Sequence, residues 1–123
     1  MSLTKPTLDN LRAAGTTVGD VYFPQTKLLL PFDGTNGATT TSDSSNSNHT
    51  ITFAGNAQIS TAQSKFGGSS LYFDGSGDYV SMPSSSVFAF GAADFTIECW
   101  VRRASGGGTY PYIFDFRVGG ANA

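Results

Sequence analysis

The chain has 123 residues, 39% of them hydrophobic, which is the length of one domain with enough apolar residues for a core. Seven Lys and Arg residues against nine Asp and Glu give a net charge of −2. The basic residues are scattered, which excludes a nucleic-acid-binding surface. No apolar run approaches the roughly 20 residues of a membrane span, and the N-terminus lacks the apolar core of a signal peptide.

Residues 1–26 are predicted to form an N-terminal arm. The only helical pattern runs over residues 8–14, with Thr7 as N-cap and Gly15 as the stop. Apolar side chains on a terminal segment favour docking onto a partner protein, and a loosely ordered terminus is the alternative. The residues expected to dock are Leu8, Leu11, Tyr22 and Phe23.

A single domain is predicted over residues 27–123. Its first strand is predicted over residues 27–33, an apolar run that suits burial on both faces, with Pro31 tolerable only at an edge or a bulge. Residues 34–48 are almost entirely Gly, Thr, Ser, Asn and Asp, so we expect a long exposed loop without buried side chains. Such loops often carry binding sites, although a solvated loop without a role is the alternative.

Short strands are predicted over residues 49–54 and 57–60, where apolar and polar residues alternate. Residues 71–73 and 78–82 are predicted to form a hairpin across the turn sequence Asp-Gly-Ser-Gly. Eight of the nine acidic residues are Asp, and there are 15 Gly, a composition that favours turns over helices.

The clearest alternation in the chain covers residues 95–101. Phe95, Ile97, Cys99 and Val101 share one face, which we expect to be buried, so that Cys99 is an inert thiol. Thr96, Glu98, Trp100 and Arg102 share the other face. Residues 112–118 alternate in the same way and are predicted to pair with this strand. The fold class predicted from these patterns is all-β.

Several blocks in this order resemble the laminin-G-like, concanavalin A-type jelly-roll family, in the variant carried by bacteriophage virion proteins and bacterial surface proteins. They are residues 28–34 (Leu-Leu-Leu-Pro-Phe-Asp-Gly), 43–49, 66–80 (beginning Phe-Gly-Gly-Ser-Ser-Leu-Tyr-Phe-Asp-Gly) and 94–101 (Asp-Phe-Thr-Ile-Glu-Cys-Trp-Val). The resemblance covers residues 27–118 and implies an antiparallel jelly-roll sandwich. Members of the family run further, so we expect an incomplete sandwich, the front half of the domain, completed by further sequence or by a neighbouring chain.

Catalysis is not expected. Proteins with this architecture hydrolyse glycans with paired carboxylates, but the neighbours of Glu98 on its strand face are Thr96 and Trp100. Asp94 lies roughly 13 Å further back along an extended strand. His49 is the only histidine and has no suitably spaced partner, which favours a surface or strand-entry position.

Calcium is the only cofactor for which the sequence offers candidate ligands. The resemblance implies it, because jelly rolls of this family often hold a structural ion, and carboxylates in turns are suitable calcium ligands. Asp followed by Gly is also an ordinary turn signal that needs no metal. We therefore predict no cofactor, with calcium as an alternative. The candidate ligands are Asp33, Asp43, Asp74 and Asp78.

Sugar binding needs a flat aromatic ring to stack on a pyranose and a few amides to fix the hydroxyl groups. The sequence offers three aromatic residues and two loop amides, although Trp100 on a strand also suits packing against covering loops. The predicted glycan-binding residues are Asn46, Asn48, Trp100, Tyr110 and Tyr112.

The resemblance implies a non-enzymatic structural or adhesion protein of a phage virion, such as a tail fibre, appendage or decoration protein. The expected partners are other virion proteins, a homo-oligomer and host surface glycans, without nucleic acid or membrane insertion. The expected location is the virion, with the bacterial cell surface as the alternative. Two other functions stay open: a glycan-processing enzyme whose catalytic residues lie in a missing second half, and a structural packing module without a ligand.

Overall fold

A computed structural model of the chain describes residues 20–104 and 112–116. Four three-residue strands and two 3₁₀ helices make up the regular structure of these ranges. The strands confirm the all-β class, and the helical turn predicted at residues 8–14 lies outside the described ranges. The elements are β1 (Thr52–Ala54), β2 (Gln58–Ser60), β3 (Ser70–Tyr72), β4 (Tyr79–Ser81) and the 3₁₀ helices Phe23–Gln25 and Ser86–Phe88.

The strands pair in a nested antiparallel order. Strand β1 pairs with β4, where Phe53 lies opposite Val80, and β2 pairs with β3, where Ile59 lies opposite Leu71. The predicted hairpin between residues 71–73 and 78–82 is therefore wrong, since both of its strands pair with earlier strands. In this order Phe53–Val80 and Ile59–Leu71 are apolar cross-strand pairs, and such pairs stabilise a sheet.

Strand β2 lies at the centre of the small core. On the edge away from β3, its backbone is hydrogen-bonded to the loop at residues 37–38. The Ile59 N–H donates to Ala38 O (2.7 Å), and the Gly37 N–H donates to Ile59 O (2.8 Å). Ile59 is 0% exposed and the adjacent Ala57 is also buried. A Cβ on Gly34 would lie 3.6 Å from Ile59 Cγ2, so the loop after residue 33 closes over the core.

The segments around Phe32 and Phe66, which the sequence places 34 residues apart, meet through Ser69. The Ser69 hydroxyl donates to Phe32 O (2.9 Å) and accepts the Gly34 N–H (3.1 Å). The Asp33 carboxylate lies against the Cα of Gly67, where a Cβ would clash with it. This junction joins two of the sequence motifs that carry the family resemblance.

Three predicted strands are not formed in the described residues. Residues 27–33, 95–101 and the described part of 112–118, residues 112–116, belong to no strand and no sheet. The predicted buried face of residues 95–101 is wrong, since Phe95, Ile97, Cys99 and Val101 are all exposed. Leu29 is hydrogen-bonded to the Ser44 N–H and to the Asp43 carboxylate, but this contact does not continue into a ladder of strand pairs. No backbone hydrogen bond from another described residue reaches residues 95–101.

Aromatic rings form a cluster beside the 3₁₀ helix Ser86–Phe88. Phe90 stacks on Phe95 with ring centroids 4.4 Å apart, and Phe116 lies within 6.0 Å of both Phe88 and Phe90. His49 is half-buried against Phe88, with ring centroids 5.3 Å apart. Within the described ranges, no helix combines the length and the apolar character that a bilayer span needs.

Candidate functional site

The polar loop of residues 34–48 is anchored by a buried carboxylate. Asp43 is only 4% exposed, and Ser45 is buried beside it, so the prediction that this loop buries nothing is wrong. Asp43 Oδ1 accepts the N–H groups of Leu29 (3.0 Å) and Ser45 (2.9 Å). Asp43 Oδ2 accepts the His49 N–H (2.9 Å) and the Ser45 hydroxyl (2.9 Å). Hydrogen bonding to four donors offsets the cost of burying this charge.

These contacts set the protonation of Asp43. Burial raises its pKa, but the hydrogen bonds donated by His49, Leu29 and Ser45 together lower the pKa below its ordinary value of 3.8. The carboxylate is therefore ionised at neutral pH and ties the loop to the segment before residue 30. Its role is structural.

A second carboxylate network lies in the turns between the two strand pairs. Asp78 accepts the backbone N–H groups of Asn56 and Asp74, each at 2.6 Å. The Asn56 side-chain amide donates to Asp74 Oδ2 (2.8 Å), and the Ser76 N–H donates to Asp74 Oδ1 (2.8 Å). The hydrogen bonds from Asn56 and Ser76 lower the pKa of Asp74. The network holds the turn after β1 against the turn after β3.

The four aspartates predicted as calcium ligands are not gathered into one site. Asp74 and Asp78 lie together, but no group of three or more His, Cys, Asp or Glu side chains in the described ranges is placed to hold a metal ion. Polar hydrogens already point at the oxygens of Asp43, Asp74 and Asp78, and Asp33 lies against Gly67. Calcium binding by these aspartates, through carboxylate oxygens, stays a prediction.

The strand pair β2–β3 presents a polar outer face. Since side chains alternate along a strand, the inward pair Ile59–Leu71 leaves the pairs Gln58–Tyr72 and Ser60–Ser70 on the opposite side. Tyr72 is 48% exposed although it lies next to the core strand. An exposed tyrosine opposite a glutamine is therefore fixed by the same register that buries Ile59.

Two open depressions, of about 450 and 430 Å³, lie on either side of Tyr72 and Gln58, which line both. The first is completed by Thr39, Gly55, Asn56, Ala57 and Asp74. The second is completed by Asn36, Ser60, Ala62, Gln63, Ser70 and Arg102. We call the surface formed by Tyr72, Gln58, Asn36, Gln63, Asn56 and Asp74 the Tyr72 face.

The amides of the Tyr72 face differ in how they are engaged. Asn36 Oδ1 accepts the Thr61 N–H (3.1 Å), which fixes that side chain. Among the described residues, the side-chain amides of Gln58 and Gln63 have no hydrogen-bond partner. Each of those amides can both donate to and accept from a polar ligand. The face has a carboxylate, Asp74, in one depression and a guanidinium, Arg102, in the other.

The residues predicted to bind glycans lie elsewhere. Asn46 and Asn48 are exposed in the turn that Asp43 anchors. Trp100 is 72% exposed, with Lys65 Nζ 4.7 Å from the centre of its ring and Phe66 packed at its edge. Tyr112 is exposed, and Tyr110 lies outside the described ranges. None of the described four lines either depression.

The Tyr72 face was missed from the sequence for a specific reason. The alternation predicts a hairpin of residues 71–73 with residues 78–82, which gives Tyr72 a partner other than Gln58, so the sequence does not predict that the two share a surface. The available signal is the matched alternation of residues 58–60 and 70–72, in which an apolar residue is flanked by polar or hydroxylated ones.

The predicted docking residues of the arm are only partly described. Leu8 and Leu11 lie outside the described ranges. Tyr22 is 73% exposed, and Phe23 is half-buried at the start of the 3₁₀ helix Phe23–Gln25. Docking of the arm onto a partner stays a prediction.

Comparisons with family models, with curated proteins and with solved structures found no match to this chain. The resemblance to the laminin-G-like family therefore rests on the sequence motifs alone.

Proposed function

We propose that this chain is a non-enzymatic carbohydrate-binding protein and that the Tyr72 face is its binding surface. The observation that carries the proposal is the register of β2 and β3, which sets the exposed ring of Tyr72 opposite the unengaged amide of Gln58. An aromatic ring stacks on the apolar face of a pyranose, and amides exchange hydrogen bonds with its hydroxyl groups.

The surrounding residues extend this chemistry on both sides of the ring. Asn56 and Asp74 border the first depression, and Asn36 and Gln63 border the second. Because Tyr72 lies between them, a linear glycan can place one sugar on the ring and its neighbours in the two depressions. A saccharide of two or three units suits this arrangement better than a single sugar.

Binding is a better account than hydrolysis for the acids of this face. A glycosidase needs a carboxylic acid whose pKa is raised so that it can protonate the leaving oxygen. Hydrogen bonds from Asn56 and Ser76 lower the pKa of Asp74 instead. The Asp78 carboxylate accepts hydrogen bonds from two backbone N–H groups and holds the two turns together.

We place this activity in a structural or adhesion protein of a virion or a similar particle, with a concanavalin A-type jelly roll as its fold. The support is the family resemblance of residues 27–118 together with the antiparallel pairing of all four strands. In this setting the glycan belongs to a host surface and the arm attaches the domain to the particle.

A glycan array tests the proposal with two matched variants. We expect the wild-type protein to bind a subset of host-surface oligosaccharides and Tyr72→Ala to weaken that binding by about tenfold or more, since it removes the apolar contact between the ring and the pyranose face, and tenfold corresponds to about 1.4 kcal/mol. Tyr79→Ala is the control, because Tyr79 is also exposed but lies on β4. Equal binding by wild type and Tyr72→Ala contradicts the proposal, as does the absence of any bound glycan.

A further inference from the structure

Residues 95–104 form an exposed segment with the composition of a strand. Every residue in it is exposed, including Phe95, Ile97, Trp100 and Val101. None of its backbone groups is hydrogen-bonded to another described residue. A segment of apolar, strand-forming sequence with free backbone donors and acceptors is a template for pairing with another strand.

The charges of the segment are self-complementary. Glu98 and Arg102 flank Trp100 at a distance of two residues each, so in a strand their side chains share one face. In an antiparallel pair, residues at equal distances from the centre lie opposite each other. Two copies of the segment centred on Trp100 therefore place Glu98 of each copy opposite Arg102 of the other.

We infer that residues 96–104 pair in antiparallel register with the same residues of a second copy, about a two-fold axis at Trp100. In this register the side chains of Thr96, Glu98, Trp100 and Arg102 from both copies lie on the same side of the strand pair. On the other, apolar side, Cys99 lies opposite Val101. Two opposite-charge pairs form, each of the kind that favours a cross-strand register. The pairing is isologous, so it closes as a dimer and does not propagate.

Neighbouring registers lack this complementarity. Centring the pair on Cys99 puts Glu98 opposite Trp100 and leaves Arg102 opposite Thr96. Centring it on Glu98 puts the two carboxylates opposite each other, which is destabilising. The choice of a second copy as the partner rests on this charge pattern, in which Arg102, a residue that also borders the second depression of the Tyr72 face, takes part.

Light scattering on the purified chain tests the inference through charge reversal. We expect a species of about twice 12.9 kDa. Glu98→Arg sets the new arginine opposite Arg102, and Arg102→Glu sets two carboxylates opposite each other. Each change is expected to weaken the dimer about tenfold or more, and the double variant is expected to restore it.

Thr96→Arg is the matched control, since it adds a charge on the same face opposite the neutral Ala104. All of these side chains are exposed, so none of the changes should unfold the packed region around Ile59, which thermal melting can verify. A wild-type monomer at every soluble concentration overturns the inference. So does a double variant that is as weak as either single one.

Cysteine cross-linking tests the register itself. Val101→Cys puts a new thiol opposite Cys99 of the second copy, at a separation of about 4.5–5.5 Å between Cα atoms that a disulfide can span. We expect rapid cross-linking with copper phenanthroline as the oxidant, and only slow cross-linking when Cys99→Ser is added, since the two new thiols are then diagonal neighbours. In the wild type the two Cys99 residues are diagonal neighbours and should cross-link slowly. Wild-type cross-linking as fast as that of Val101→Cys indicates the register centred on Cys99 and overturns the inference.

Discussion

Asp43 shows how one buried charge fixes the conformation of an otherwise polar loop. Its carboxylate accepts hydrogen bonds from the N–H groups of Leu29, before the loop, and of His49, after it. Removing such an acceptor leaves buried N–H groups without a partner, which costs about 1–3 kcal/mol. The loop that sequence composition marks as exposed is thereby tied to the domain.

We predict that Asp43→Asn lowers the free energy of unfolding by about 2 kcal/mol at neutral pH, since the new amide hydrogens face existing donors. The effect depends on pH, because the folded-state pKa of Asp43 lies below the ordinary 3.8. The ionised carboxylate stabilises the fold above pH 3.8, and this contribution is lost as pH falls through the folded-state pKa.

Urea titrations from neutral pH down to about pH 2 measure both effects. The difference between wild type and Asp43→Asn should shrink as the pH falls below 3.8. A difference that stays constant across this range is incompatible with an ionised Asp43 anchor. Ser44→Ala serves as the control, because the Ser44 side chain is exposed and its backbone N–H bond to Leu29 O is retained.

At the scale of elements, the junction between residues 32–34 and 66–69 joins segments distant in sequence. Two adjacent glycines show what the junction requires. Gly67 and Gly68 both have positive φ, 69° and 88°, but only Gly67 lies against another side chain, that of Asp33. A substitution at Gly68 therefore measures only the free-energy cost of holding a residue with a Cβ at positive φ.

We predict that Gly68→Ala lowers the free energy of unfolding by about 1 kcal/mol, the cost of a left-handed conformation for a residue with a Cβ. Gly67→Ala should cost about 1–3 kcal/mol more, because the added Cβ displaces Asp33. Chemical denaturation of the two variants side by side provides the comparison. Equal losses would mean that the two segments do not meet at Gly67.

The strand pairing makes a second prediction at this scale. Thr52 and Ser81 lie opposite each other in β1 and β4, and both are exposed. In a Cys99→Ser background, Thr52→Cys with Ser81→Cys should form an intramolecular disulfide, seen as a loss of two free thiols. Thr52→Cys with Tyr79→Cys is the control, since Tyr79 lies opposite Ala54. Faster closure of the control pair would contradict the register.

Strand positions were easier to predict than strand partners. Apolar alternation located all four strands to within a few residues, because that pattern is local. The partners were wrong for residues 71–73 and 78–82, because the turn sequence between them suits a hairpin on local grounds. Its aspartates instead bond to Asn56 and hold two turns together, a long-range contact that no local pattern contains.

On the scale of the whole molecule, the described residues divide into a small packed region and an exposed apolar segment. Ile59 and Ala57 are buried among β2, β3 and the loop before them, whereas residues 95–104 are exposed throughout. The Tyr72 face lies on the packed region, so its side chains are held by the strand pairing. The exposed segment supplies the pairing edge inferred for the dimer.

The residue types of the proposed sugar site can be predicted from the sequence, but their location cannot. Aromatic and amide residues are frequent, and the sequence favoured Trp100 with Asn46 and Asn48. Which of them share a surface depends on register, and a shift of one residue exchanges the faces of a strand. Gln58 and Tyr72 come together only because Ile59 is paired inward with Leu71.

The most direct test of carbohydrate binding at the Tyr72 face is a titration followed by the side-chain NH₂ signals of Asn and Gln in a ¹⁵N–¹H NMR spectrum. On adding an oligosaccharide that binds in the array, we predict shifts of the Gln58, Gln63 and Asn36 side-chain signals, all suppressed in Tyr72→Ala. The signals of Asn46 and Asn48 should stay in place. Shifts confined to Asn46, Asn48 or the Trp100 indole N–H would contradict a binding surface centred on Tyr72.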